Sequence, residues 1–380
     1  MLKKYLRLQR TIFHAAKVRC CGGQVQIGEC LLLARRESVI SDRLFKEGRC
    51  FLIAEVAQAH DGSLGSAHAY IEAVAKAGAD AVKFQTHFAD AESSPLEPFR
   101  VKFSPQDATR YDYWKRLEFT DEQWRELARH CNAKGIIFLS SAFSLKAVEL
   151  LERLDMRAWK VASGEIVNAP MLDRMASTGK PIILSSGMSG LDEIGSAIER
   201  VRPKVAEVAV LQCTTAYPCP PEKVGLNLLQ VFREEFGCAV GLSDHSGTIY
   251  PGLAGATLGM EVLEVHVTFS RRMYGPDVPA SLTFDELGTL VQGLKFIECM
   301  RTHPLEKDAI SKEMAPLRDI FMKGLVATVN IAAGEAFDSS NLDARKPLAG
   351  ISVARYDEIK GRRARRAIAA GEFIQEDDLA

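Results

Sequence analysis

The sequence predicts an α/β chain: a (β/α)8 barrel followed by a small β-rich domain. Three observations carry this. Eight short apolar runs alternate with helix-like stretches, and strands covered on both faces read as nearly continuous apolar segments. Each run carries a polar or charged residue at its end or one position before it, as expected where strand C-termini build a site at one face of a barrel. Finally, the last sixty residues contain an internal repeat that the barrel region lacks.

The runs are FLIAEV (51–56), DAVKFQ (80–85), GIIFLS (135–140), AWKVAS (158–163), PIILSS (181–186), EVAVLQC (207–213), CAVGLSDH (238–245) and VLEVHV (262–267). Helical stretches are expected after them near 66–78, 121–134, 144–154, 169–179, 190–201, 224–236, 249–260 and 283–300. Thr120 precedes Asp121-Glu122-Gln123, an N-cap with Gln in the capping-box position. The long interruption at 86–120 is rich in Pro, Phe and charge, and at this face of a barrel it reads as a lid or specificity loop. The expected division is a basic extension over 1–47, the barrel over 48–300, a linker over 301–322 and the small domain over 323–380. In that domain IAAGEAFDSSNL (331–342) recurs as IAAGEFIQEDDL (368–379), which points to a pseudo-symmetric fold with two matching turns. The intervening GRRARRA reads as a solvated basic face.

Net charge is −1, so no global bias toward nucleic acid or membrane is expected. No apolar run reaches the length of a membrane span. Nine cysteines lack CxxC or finger-like spacing, which reads as reduced thiols in a cytoplasmic protein. The first fifty residues hold eleven Lys/Arg against four Asp/Glu. They read either as an amphipathic targeting peptide or as an extension outside the fold, and the second is the expectation.

The strand ends carry the chemistry. His245 and His266 close the seventh and eighth runs, which are neighbours if consecutive strands pair. Two readings stand: a shared divalent cation such as Mn²⁺, with Asp244 and Asp277 as oxygen partners, or structural and acid–base histidines. A closed zinc site is not expected, since no third His or Cys stands at ligand spacing. Lys83 and Lys160 end the second and fourth runs, with Ser141, Ser163, Ser185 and Ser243 as hydroxyl donors. They fit a bound phosphate. They fit equally ion pairs with Glu55 or Glu165, or a Schiff-base nucleophile. The chain has neither GxxxxGK[ST] nor GxGxxG, so a nucleotide loop is not supported. A Glu beside a bound anion has its pKa raised, which suits Glu55 or Glu165 to moving a proton.

Taken together and in order, FLIAEVAQAHDGS, ADAVKFQ, FLSSAF, WKVASGEI, LSSGM, CTTAYP, GLSDHSG and EVHVTFSRRMYGPD closely resemble the bacterial sialic acid synthase family, with its pseudaminic and legionaminic relatives. The C-terminal sixty residues resemble the SAF, or antifreeze-like, domain that follows the barrel in that family. The resemblance implies condensation of phosphoenolpyruvate with an open-chain N-acetylated hexosamine, typically N-acetylmannosamine, to a nonulosonic acid and phosphate. It implies that Lys83, Ser141, Lys160, Ser163, Ser185 and Ser243 hold phosphoenolpyruvate. His245 and His266 would bind the metal, with Mn²⁺ first and Mg²⁺ or Co²⁺ as alternatives. Gln85, Tyr217, Asp277 and Lys346 would meet the sugar, and Glu55, Glu165, Lys83 and His266 would serve the reaction. It also implies a homodimer in which the SAF domain of one subunit caps the barrel of the other.

The chain departs from the family in places. Ala59-His60-Asp61-Gly62 stands for NHNG, and Ser140-Ser141-Ala142-Phe143 for STPF. Lys346 stands where the family has an arginine that reaches the sugar, and a lysine lacks its planar fork. The rival readings are another phosphoenolpyruvate-condensing barrel, a Schiff-base aldolase, and a non-catalytic sugar-binding relative.

Overall fold

The structure, a computed structural model, describes residues 43–380. The two readings of the basic N-terminal segment fall on residues outside this range, apart from its last few positions. The chain divides into a unit ending at Thr302 and a second unit, His303–Ala380.

The first unit is a closed parallel barrel. Its strands are β1 (Phe51–Ala57), β2 (Ala81–Thr86), β3 (Ile137–Ala142), β4 (Trp159–Val161), β5 (Ile182–Ser185), β6 (Val208–Cys213), β7 (Ala239–Asp244) and β8 (Val262–Thr268). Each pairs with the next, and β8 pairs back onto β1. A three-residue strand that the sequence did not announce, β9 (Ser281–Thr283), adds to β8.

The eight connecting helices lie where the sequence placed them, within a few residues. They are α1 (Leu64–Ala77), α4 (Asp121–Lys134), α5 (Leu145–Arg153), α6 (Ala169–Ala176), α7 (Leu191–Val201), α8 (Leu228–Phe236), α9 (Tyr250–Thr257) and α10 (Phe284–Thr302). The predicted capping box is present at α4: Thr120 accepts from the Gln123 amide, and Gln123 accepts from that of Thr120. The connection 86–120 holds two further short helices, α2 (Ala89–Glu92) and α3 (Arg110–Leu117). Ala89, Tyr113, Trp114 and Leu117 pack there with Phe99, Phe103 and Tyr111 as a small core of its own.

Period-two alternation explains the site. On β1, Leu52, Ala54 and Val56 face outward into the core shared with α1 residues Tyr70, Ile71 and Val74. Phe51 and Ile53 face inward, in an apolar plug with Ala81, Leu139, Ala158, Ile183, Leu211 and Val262. Two residues further along each inward row the character changes to Glu55, Lys83, Lys160, Ser185 and Glu264. The plug closes the bottom of the barrel, and the polar tier stands above it. The barrel closes tightly: a Cβ on Gly241 of β7 would lie 1.9 Å from the Val262 carbonyl oxygen of β8.

The second unit opens with α11 (Lys307–Glu313) and α12 (Ala315–Phe321), so the expected linker carries helices. Antiparallel strands β10 (Gly324–Ala327) and β11 (Leu342–Arg345) follow, then the short α13 (Tyr356–Ile359). The internal repeat is reproduced in space. Ile331 and Ile368, the first residues of the two copies, form an antiparallel bridge. Glu335 accepts from the Ala332 amide, and Glu372 accepts from the equivalent Ala369 amide. Gly334 and Gly371 take the same left-handed turn, with φ of 84° and 88°.

Candidate active site

One cavity of about 340 Å³ at the C-terminal mouth of the barrel is lined by every barrel residue singled out above except Asp244: Glu55, Lys83, Gln85, Ser141, Lys160, Ser163, Glu165, Ser185, Tyr217, Ser243, His245, His266 and Asp277. Its floor is ionic. Lys83 Nζ lies 2.7 Å from Glu55 Oε2 and donates to Ser141 Oγ at 3.1 Å. Lys160 Nζ donates to Ser185 Oγ at 2.7 Å. Glu264, one turn of the β alternation before His266, sits between the two lysines, 3.7 Å from Lys83 and 3.6 Å from Lys160, and accepts from Ser243 Oγ at 3.0 Å. Lys83 therefore pairs with Glu55, as one of the open readings had it. Lys160 pairs with Glu264. Glu165 pairs with neither lysine, and instead accepts from Asn168 Nδ2 at 2.7 Å.

Burial and charge sort these groups. Burial pushes the Glu55 carboxyl up against the opposing pull of Lys83, and it pushes the half-buried Glu165 up as well. Burial would raise Glu264 too, but Lys160 and Lys83 outweigh it and hold that carboxyl down as an anion. Burial lowers Lys160 despite Glu264, whereas Glu264 and Glu55 overcome burial at Lys83 and keep it charged.

The wall above the floor is aromatic and imidazole-rich. The His245 and His266 rings stand 5.3 Å apart. His245 Nδ1 donates to the Thr214 carbonyl at 2.9 Å, which leaves Nε2 with a free lone pair. Burial, reinforced by His266, pushes His245 down to about 4, and burial pushes His266 down to about 3. Both imidazoles are therefore neutral at pH 7, the state that ligates a metal. Among the described residues no group of three or more His, Cys, Asp or Glu gathers as a metal cage. The pair fits an ion whose remaining positions are filled by substrate or water oxygens. Asp277 lies 3.9 Å from His266 Nδ1 and is within reach as a neighbour. Asp244 departs from the expectation: its carboxylate is turned onto the Ser246 amide and hydroxyl, and it does not line the cavity.

Tyr217 stacks on His245 at 4.0 Å and carries the Arg100 guanidinium 3.9 Å above its ring. Arg100 also pairs with Asp277 at 2.6 Å. Ser163 accepts from the Gly187 amide at 3.0 Å, and a Cβ on Gly187 would lie 2.7 Å from Ser163 Oγ, so that backbone can approach only as glycine. Lys346 belongs to the second unit, where its Nζ lies 5.2 Å from the Phe321 ring.

Several cavity residues went unnoticed in the sequence, among them Glu264, Arg100, His87 and Gln58. Glu264 had a signal, since a Glu two positions before a strand-end His must share its inward face. Arg100, His87 and Gln58 had none, because they come from loops whose course only the fold sets.

Comparison with known proteins agrees with this geometry. Residues 70–304 match the NeuB family, and residues 323–380 match the SAF domain. The chain is similar to N,N'-diacetyllegionaminic acid synthase of Campylobacter jejuni, 36% identical over 86% of this chain and 99% of the relative. It is similar to human N-acetylneuraminate-9-phosphate synthase, 35% identical over 75% of this chain and 80% of the relative. Among solved structures it resembles the N-acetylneuraminic acid synthetase of Leptospira borgpetersenii, crystallised with citrate (TM-score 0.63, 28% identity, 71% of this chain and 91% of that one). A barrel with this floor, joined to a repeat-built C-terminal module, belongs to the NeuB family of phosphoenolpyruvate-condensing transferases, with a SAF domain at its C-terminal end.

Proposed function

We propose that this enzyme condenses phosphoenolpyruvate with an N-acetylated hexosamine, N-acetylmannosamine first, to give a sialic-type nonulosonic acid and inorganic phosphate. The observation that carries the reading is the cavity floor: two buried lysines with a ring of hydroxyls, directly beneath two neutral imidazoles.

Lys83, Lys160, Ser141, Ser163, Ser185 and Ser243 would bind the phosphate and carboxylate of phosphoenolpyruvate. The incoming anion displaces part of the pairing to Glu55 and Glu264. Glu55, already pushed up by burial, can take a proton as that negative charge arrives. C3 of phosphoenolpyruvate forms the new bond to the sugar aldehyde carbon, water adds at C2, and phosphate leaves from the tetrahedral intermediate. Glu55 and Glu165 are the carboxyl groups placed to hold and move protons at these atoms. A divalent cation on His245 and His266, Mn²⁺ first and Mg²⁺ or Co²⁺ next, would polarise the aldehyde oxygen as a Lewis acid. Gln85, Tyr217 and Asp277 would orient the sugar. Lys346 would join them only if the SAF domain of a partner subunit closes over the cavity in a domain-swapped homodimer. A cytoplasmic location is part of the same proposal; no helix among the described residues is long and apolar enough to cross a membrane.

A second reading has support of its own: a 2,4-diacetamido-trideoxyhexose as acceptor, leading to a legionaminic or pseudaminic acid. The near full-length similarity to a legionaminic acid synthase favours it. So does an outer cavity wall of Phe99, Val101, Phe103 and Met188, which suits a deoxy methyl and a second acetamido group better than hydroxyls.

The test is phosphate release from phosphoenolpyruvate with Mn²⁺ against N-acetylmannosamine, its 6-phosphate and the diacetamido sugars, each repeated with EDTA. Metal-dependent release with one sugar is expected, and it names the acceptor. A protein that binds neither Mn²⁺ nor phosphoenolpyruvate would overturn the proposal.

A further inference from the structure

His87 is buried in the cavity wall and carries no role in the scheme above. Its ring is sandwiched between Trp114 of α3 and Phe143 beyond β3, with centroids 3.9 and 4.5 Å away and both ring planes tilted by 15°. This holds the imidazole edge-on to a chain of polar groups. Nδ1 donates to Glu92 Oε1 of α2 at 2.5 Å, since a carboxylate can only accept there. In the neutral ring, with that proton on Nδ1, Nε2 is an acceptor, and the Gln58 amide donates to it at 3.2 Å. The same Gln58 nitrogen donates its second proton to Gln85 Oε1. Gln85 Oε1 and His87 Nε2 lie 3.2 Å apart, two acceptors bridged by one amide group. The Gln85 carbonyl is thereby turned toward Gln58. Its own amide must face the other way, where it donates to Glu55 Oε1 at 2.7 Å.

We propose that His87 is a positioning residue. Its tautomer, set by Glu92 of the inserted segment, orients the Gln58 and Gln85 amides and so holds Glu55 against Lys83. The physical reason is parity. An amide has one donor end and one acceptor end, so fixing one end of a run of amides dictates every end after it. Without the Nε2 acceptor, the Gln58 amide is free to turn its own carbonyl oxygen onto that of Gln85, and Gln85 must then give up either that contact or its hydrogen bond to Glu55. His87 and Glu92 would thus act on the reaction through Gln58, Gln85 and Glu55, whatever other residues of the inserted segment touch the substrate. This inference rests on the reading above, in which Gln85 serves the acceptor sugar and Glu55 the reacting carbons.

Two variants separate positioning from packing. His87→Phe keeps the aromatic sandwich and removes both ring nitrogens, while His87→Gln restores a polar end near Nε2. We expect His87→Phe to lose about tenfold in kcat/KM for the hexosamine, the scale of one orphaned buried polar group. The KM for phosphoenolpyruvate should stay within about twofold, and His87→Gln should recover several-fold over His87→Phe. Wild-type kinetics in His87→Phe, or equal losses toward both substrates with no gain from His87→Gln, would overturn the inference. Should His87→Phe not fold, Gln58→Met breaks the same path and is expected to show the same split. If the wild type releases no phosphate with any sugar, it is the functional reading that fails. A crystal structure of His87→Phe then decides the positioning role alone: a Gln85 amide displaced from Glu55 supports it, and an undisturbed one sinks it.

Discussion

The floor and the wall of the cavity are built by different rules. On the floor, Glu55, Lys83, Lys160 and Glu264 project from strands, and their side chains are 1–5% exposed. On the wall, Arg100 and Asp277 come from loops and are 36% and 17% exposed. Strand side chains are aimed by the barrel itself, so the floor, the end proposed to hold phosphoenolpyruvate, is as rigid as the fold. Loop side chains are aimed by one another, so the wall, the end proposed to meet the sugar, can vary while the barrel stays the same. One barrel can then serve several acceptor sugars, and the relatives of this chain carry the names of several different acids.

The largest expected effect attacks the floor. Glu264→Ala leaves Lys83 and Lys160 facing each other with one carboxylate fewer. Removing one partner from a buried charge cluster costs about 3–5 kcal/mol. Urea denaturation should show that loss, and a change near zero would mean water already screens the floor. Next is Lys160→Met, which leaves Glu264 its contact with Lys83 but removes a cation from the end proposed to hold the phosphate. A fall of about 10²–10³ in kcat is expected, the range for losing one preorganised stabiliser of transition-state charge. The KM for the sugar should barely move.

A wall substitution should do the reverse. Arg100→Ala is expected to raise the sugar KM by about tenfold at unchanged phosphoenolpyruvate KM, and to cost about 1 kcal/mol of stability, because its pair with Asp277 is only partly buried. Equal effects of Lys160→Met and Arg100→Ala on both substrates would erase the distinction between floor and wall.

The smallest effect concerns the anchoring of the inserted segment. Burial would raise Asp107, but Arg116 and Ser104 outweigh it and hold the carboxyl below its usual range. A carboxylate with a depressed folded-state pKa contributes stability above the ordinary carboxylate range and loses it as the pH falls through the depressed value. Proteolytic nicking of the segment should therefore rise on acidification, and Asp107→Asn should nick readily at neutral pH and respond less to acid. A wild-type segment equally resistant at pH 7 and at pH 3 would count against this anchor.

The same division governs what could be read in advance. The strands and their inward residues follow from alternation within single runs. VLEVHV, for example, commits Glu264 and His266 to one face before any contact is known. The capping box at Thr120 and the matched turns of the repeat are equally local. That Lys160 would find Glu264 rather than Glu165 was not legible, because Glu165 is the near neighbour in sequence while Glu264 stands about a hundred residues further along the chain. Asp244 shows the complementary error: it ends a strand beside two site residues, yet its carboxylate turns onto Ser246 in the following turn.

What the sequence determined by itself was the barrel, its polar mouth, the repeat-built second unit and the set of groups available for chemistry. These rest on periodicity and local hydrogen bonding, which act over a few residues. The tertiary structure alone decided how those groups pair, and it brought Arg100 onto Tyr217 and His87 between Trp114 and Phe143. Those contacts depend on the path of a connection whose residues carry no repeating pattern, and their partners become neighbours only once the barrel has closed.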